Sequence, residues 1–103
     1  MIRIKVHVGA EARRKQHQLV QAVQQHARVW KSSHPGRTAT LTFVHEARNV
    51  RGRVRGVKSD DPECLAFSCT ARSQAEEAIT AGRFVHLVFR DLEAASEITL
   101  RRR

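Results

Sequence analysis

The chain has 103 residues, 41% of them hydrophobic, and a formal net charge of +9. That length makes one domain, residues 1–103, with room for a single modest core, and the apolar share, a little under the usual one, fits a folded protein rather than a disordered chain. No apolar run approaches the length of a membrane span, and the alternating start, Met1-Ile-Arg-Ile-Lys-Val, lacks the core of a signal peptide.

The charge is unevenly divided. Residues 1–58 hold thirteen Lys and Arg against two acids, Glu11 and Glu46, for a net +11. Residues 59–103 hold six basic residues against eight acids, for a net −2. Such a field raises affinity for polyanions and speeds encounter with them. Arginine outnumbers lysine fifteen to four, a bias that suits planar, bidentate contact with phosphate and that a GC-rich genome would also produce. The two cysteines, Cys64 and Cys69, fall on opposite faces of an expected strand. They suit neither a mutual disulfide nor a zinc site, and the expected compartment is reducing and cytoplasmic.

In chain order, residues 2–8 alternate, with Ile2, Ile4, Val6 and Val8 on one face and Arg3, Lys5 and His7 on the other, as in a half-buried strand. Gly9 ends it. Residues 10–31 read as one long helix, with Leu19, Val20, Val23, Ala27 and Trp30 on one stripe and Arg13, Arg14, Lys15, Arg28 and Lys31 on the surface. Ser32-Ser-His-Pro-Gly36 terminates it. Residues 38–45 form a β-branched strand, with Ala39, Leu41 and Phe43 on one face and Thr38, Thr40, Thr42 and Val44 on the other.

Residues 48–58, Arg48-Asn-Val-Arg-Gly-Arg-Val-Arg-Gly-Val-Lys58, carry four arginines and a lysine without an acid. The segment is either a strand, paired with 38–45 through a turn near 46–49, or a loop, since Gly52 and Gly56 weaken a strand. Ser59-Asp-Asp-Pro62 is a turn. Residues 64–70 form a strand with Leu65, Phe67 and Cys69 inward. Ser73-Gln-Ala-Glu76 is a capping box opening a short helix that Gly82 closes. Residues 84–90 read as a further strand, apolar on both sides, and 97–101 as a last one with Ile98 and Leu100 inward.

This order predicts an α+β domain: two helices packed on one face of a mainly antiparallel sheet, most economically a ferredoxin-like split β-α-β arrangement. The uncovered face would show Arg3, Lys5, His7, Thr38, Thr40, Thr42 and Ser68. It carries no stacking aromatics, and the basic-Gly-aromatic-x-aromatic signature of RNA-recognition motifs is absent. The binding residues expected are Arg48, Arg51, Arg53, Arg55 and Lys58, extended by Arg3, Lys5, Arg13 and Arg14. Their contacts would go mainly to phosphate and sugar.

No His-x-x-x-His, Cys-x-x-Cys or Walker-type spacing occurs, so neither metal nor cofactor is expected. A lone Gly9 is little evidence for an anion loop. The leading expectation is a non-enzymatic nucleic-acid-binding protein, RNA ahead of DNA, with no membrane partner. The alternative is a homo-oligomeric interaction module, a homodimer in the simplest case, resting on open sheet edges and the two-sided segment 84–90. A third is a small toxin-like ribonuclease using His7 and His86.

Overall fold

The computed structural model describes residues 1–25, 29–32, 42–47 and 49–103. They form an α+β domain with two helices and six strands: β1 (Ile2–His7), α1 (Ala12–Gln25), β2 (Trp30–Ser32), β3 (Thr42–Ala47), β4 (Val50–Val57), β5 (Cys64–Ala71), α2 (Gln74–Asp91) and β6 (Glu97–Arg102). All strand pairs are antiparallel, in the spatial order β2-β3-β4-β5-β1-β6. Ala27, Arg28, Thr38, Ala39, Thr40, Leu41 and Arg48, together with residues 33–36 expected to end the first helix, lie outside the described residues.

Both helices pack on the same face of the sheet. Ile2, Ile4 and Val6 of β1, Val54 of β4 and Leu65, Phe67 and Cys69 of β5 point toward them and are buried with Leu19, Phe84, Leu87 and Val88. Two ring pairs join the layers, Phe67 meeting Phe84 edge-on at 4.9 Å and Trp30 meeting Phe84 at 5.7 Å, and within the sheet Trp30 meets His45 at 4.8 Å.

The first helix is shorter than its periodicity suggests. Trp30, expected on the helix stripe, lies instead in β2, opposite His45 of β3. Its indole gains the same burial from a strand as it would from a helix, so apolar spacing alone does not separate the two. Lys15 closes the entry to α1 by donating to the carbonyls of Val8 (2.7 Å) and Ala10 (2.8 Å). The amides of Val8 and Gly9 donate to the Glu63 carbonyl at 3.0 and 3.1 Å. The loop holding Gly9, at φ +79°, therefore presents its carbonyls to a cation and spends its amides internally, unlike an anion cradle.

The segment 84–90 is not a strand. It is the second half of α2, which runs through Gly82 without a break. Glu77, Thr80, Ala81, Phe84, Leu87 and Val88 make one buried stripe at helical spacing. Phe89, half exposed, lies off that stripe. Ser73 caps the helix, its hydroxyl accepting from the Glu76 amide at 3.2 Å. The Glu76 carboxylate does not complete the box as expected. It accepts from the Arg51 amide of β4 at 3.0 Å and from the Arg72 guanidinium at 3.0 Å, and these bonds hold its pKa below the usual carboxylate range.

The arginine segment is a regular strand. β3 and β4 form a tight hairpin in which Ala47 pairs with Val50, and Asn49 takes φ +62°. Gly52 faces the helices. A Cβ there would overlap the Cβ, Oγ1 and Cγ2 atoms of Thr80 on α2. Gly82, by contrast, is exposed, and nothing lies within 4 Å of where its Cβ would be. Opposite outcomes follow for two equivalent substitutions. Gly52→Ala should destabilise the fold by about 1–3 kcal/mol through overpacking, and by less in a Thr80→Ala background. Gly82→Ala should stabilise it by about 0.5–1 kcal/mol through helix propensity. Urea denaturation of the four variants measures both.

Candidate nucleic-acid interface

The face of the sheet away from the helices is set by the same alternation that builds the core. Odd-numbered residues of β1, β4 and β6 point outward, and so do even-numbered residues of β5. In register, Arg55 of β4 lies opposite Ser68 of β5, Ser68 opposite Arg3 of β1, and Arg3 opposite Arg101 of β6. The row crosses four strands, about 14 Å at ordinary strand spacing. Arg53 stands two residues from Arg55, opposite Thr70. Arg51 continues the same side of β4 and is exposed.

Arg3 and Arg101 are a like-charged pair directly opposite each other, an arrangement that costs stability. Among the described residues, no carboxylate lies within ion-pair distance of Arg3, Arg53, Arg55 or Arg101. The Nε of Arg3 is shielded from water and, among the described residues, has no acceptor. The other end of the face is balanced: Lys5 lies 3.9 Å from Asp61, His7 lies 3.9 Å from Glu63, and Glu97 sits opposite His7. Asp61 is held below the usual carboxylate range, chiefly by the Glu63 amide donating to it at 2.9 Å.

A shallow depression of about 280 Å³ brings Lys58 to this face, beside Arg3, Lys5, Asp60, Thr99 and Arg101. A second cleft, of about 580 Å³, opens between the start of α1 and the ends of β4 and β5, with Arg13, Gln16, Lys58 and Asp61 in its wall. The fold thus gathers Arg3, Lys5, Arg51, Arg53, Arg55 and Lys58 on or beside one surface. Arg13 stands at the neighbouring cleft, reached through Lys58. Arg14 is on the helical layer, 3.6 Å from Glu11. Arg48, Thr38 and Thr40 lie outside the described residues. Arg101 belongs to the row and escaped the sequence reading as a terminal charge. Its parity with Glu97 and Thr99, opposite to Ile98, was the available signal.

The remaining chemistry is sparse. Cys64 and Cys69 are both buried and free. Burial, helped by Glu77, pushes the Cys69 thiol up to about 11. The Cys64 thiol lies 3.5 Å from His7 Nδ1, but burial and a hydrogen bond to Asp61 raise its pKa, so it stays protonated and is a poor nucleophile. His7 is on the open face, whereas His86 is exposed on α2 in the opposite layer. The sheet separates them, so they cannot act on one phosphodiester. Among the described residues, no group of three or more His, Cys, Asp or Glu could hold a metal ion, and no helix is long and apolar enough to cross a membrane.

Comparison of the chain with protein-family models, with curated proteins and with solved structures finds no match.

His45 of β3 is buried in the core. An Arg83 guanidinium nitrogen lies 3.3 Å from its Nε2, where the neutral ring can accept a hydrogen bond. Burial, and secondarily the Arg83 charge, lower its pKa below 6.5. The unfolded chain therefore binds this proton more readily than the folded one. The resulting stability is complete above about pH 6.5 and is lost as pH falls through the folded pKa. Urea midpoints measured from pH 7.5 down to 5 should show this decline, and His45→Phe should flatten it.

Proposed function

We propose that the uncovered sheet face binds single-stranded nucleic acid, RNA ahead of DNA, by gripping its backbone. The observation that carries this reading is the Arg55–Ser68–Arg3–Arg101 row, where two arginines lie directly opposite each other without a carboxylate in ion-pair reach among the described residues. Bound phosphates would offset that repulsion and supply the acceptor that Arg3 Nε lacks among the described residues. A broad, flat surface suits a strand whose backbone can spread across it. Ser68, Thr70 and Thr99 offer hydroxyls to the ribose 2′-OH, which favours RNA. Without stacking aromatics on the expected face, binding is governed by charge and tolerates sequence variation.

The spatial order β4-β5-β1-β6, with α1 and α2 on one face, supports a ferredoxin-like split β-α-β core. In that reading β5 lies between β1 and β4, β1 lies between β5 and β6, and β2 and β3 extend the sheet beyond β4.

Filter binding of RNA, single-stranded DNA and duplex DNA at several salt concentrations tests the function. RNA should bind most tightly, and its logarithmic affinity should fall linearly with logarithmic salt concentration. Replacing Arg53 and Arg55 together with alanine should flatten that slope by about 1.4, at roughly 0.7 per phosphate contact on a single strand. Arg14→Ala should leave the slope in place. Equal slopes for the parent and the double variant would remove this face as the binding surface.

A further inference from the structure

We propose that two copies of the chain join edge to edge through β6, continuing one antiparallel sheet across a twofold axis. This goes beyond the nucleic-acid reading and does not depend on it.

Among the described residues, β6 is the last strand of the sheet, with β1 as its one strand neighbour. The Arg103 amide donates to the Met1 carbonyl at 2.9 Å. By antiparallel alternation, residues 97, 99 and 101 direct their backbone groups toward β1, while the N–H and C=O groups of Ile98, Leu100 and Arg102 point away from it. Natural edge strands are commonly blunted by Pro, Lys or a bulge. The segment Glu97-Ile-Thr-Leu-Arg-Arg102 has no Pro, holds its charges, Glu97, Arg101 and Arg102, toward its two ends, and pairs with β1 in unbroken register. Leu100, read as inward from the sequence, is 49% exposed, while Ile98 packs partly against the core.

A twofold axis normal to the sheet keeps the basic face of both copies on the same side. It therefore sets residues of equal parity opposite one another. Centred on Thr99, it places Glu97 opposite Arg101 of the second copy, Ile98 opposite Leu100, and Thr99 opposite Thr99. Every pair in this register is complementary. The Ile98 and Leu100 backbones, which point outward, form the hydrogen-bonded pairs. Glu97 and Arg101 then occupy the non-hydrogen-bonded sites, where side chains approach more closely. The charge pair occurs twice by symmetry, once at each end.

Sedimentation of the full chain without nucleic acid, up to several hundred micromolar and at low salt, tests this. The parent should form a dimer. Glu97→Arg sets two arginines opposite each other at both ends and should weaken the dimer roughly tenfold. The swap Glu97→Arg with Arg101→Glu should restore it. Leu100→Pro removes an outward N–H, a change edge strands tolerate, and should yield a folded monomer, with folding checked by circular dichroism. A parent that stays monomeric overturns the proposal. So does a Glu97→Arg variant that dimerises like the parent, a charge swap that fails to restore the dimer, or a folded Leu100→Pro variant that still dimerises.

Discussion

Thr80 of α2 rests directly on the backbone of β4 at Gly52, and no other residue type fits there without displacement. That contact decides which side of β4 faces the helices. With Gly52, Val54 and Gly56 inward, Arg51, Arg53 and Arg55 point outward. A slip of one residue would invert the strand, burying three guanidinium groups and exposing Val54. Glu76, one turn earlier on α2, fixes the same register from the end of the strand by accepting from the Arg51 amide. Gly52, which looks like a spacer between charges, is thus the point where a helix meets the sheet, and the charged face follows from that packing.

The outer face separates into two electrostatic regions. Near the end of β1, Asp61 and Glu63 approach Lys5 and His7, and Glu97 pairs across from His7. Near its start, Arg3 faces Arg101, with Ser68 and Arg55 in the same row. Two other acids of the second half are used on the helical layer, where Glu76 pairs with Arg72 and Asp91 with Arg90. A fold seeking stability alone could set a carboxylate opposite Arg3. The repulsion retained there is a modest cost at surface dielectric and is screened by salt, and an arriving polyanion relieves it.

Where alternation was clean, the sequence was readable. Ile2, Ile4 and Val6, and likewise Leu65, Phe67 and Cys69, face inward as their period of two demands. The Ser73 cap was legible because its chemistry is local. Residues 84–90 were not, because Phe84, Val85, Leu87, Val88 and Phe89 put apolar groups on both sides of a strand, while Phe84, Leu87 and Val88 among them also fit a helical stripe. The stripe becomes decisive only when it is joined to Glu77, Thr80 and Ala81 across Gly82. Trp30 failed for the converse reason, fitting the helical pattern while its burial is satisfied in β2. Of the site, the β4 arginines and Arg3 were visible as alternating charges. The row that joins them was not, since it depends on the registers of three strand pairs, two of them, β1 with β5 and β1 with β6, distant in sequence.

Arg101 has two roles in these proposals, and they compete. In the open row it extends the basic face to the edge of the sheet; in an edge-paired dimer it faces Glu97 of the second copy. The compensation falls only on the outer end of the row. Arg53 and Arg55, three strands in from that edge, keep their field, and Arg3, one strand in, stays uncompensated. Pairing would therefore bring two basic surfaces onto one side of a continuous sheet while moving the centre of each toward β4 and β5. Phosphate bound at Arg101 and carboxylate bound at Arg101 exclude one another. Linkage then requires that any affinity gained from that contact be subtracted from the dimer, whereas phosphates seated at Arg53 and Arg55 leave the edge unaffected.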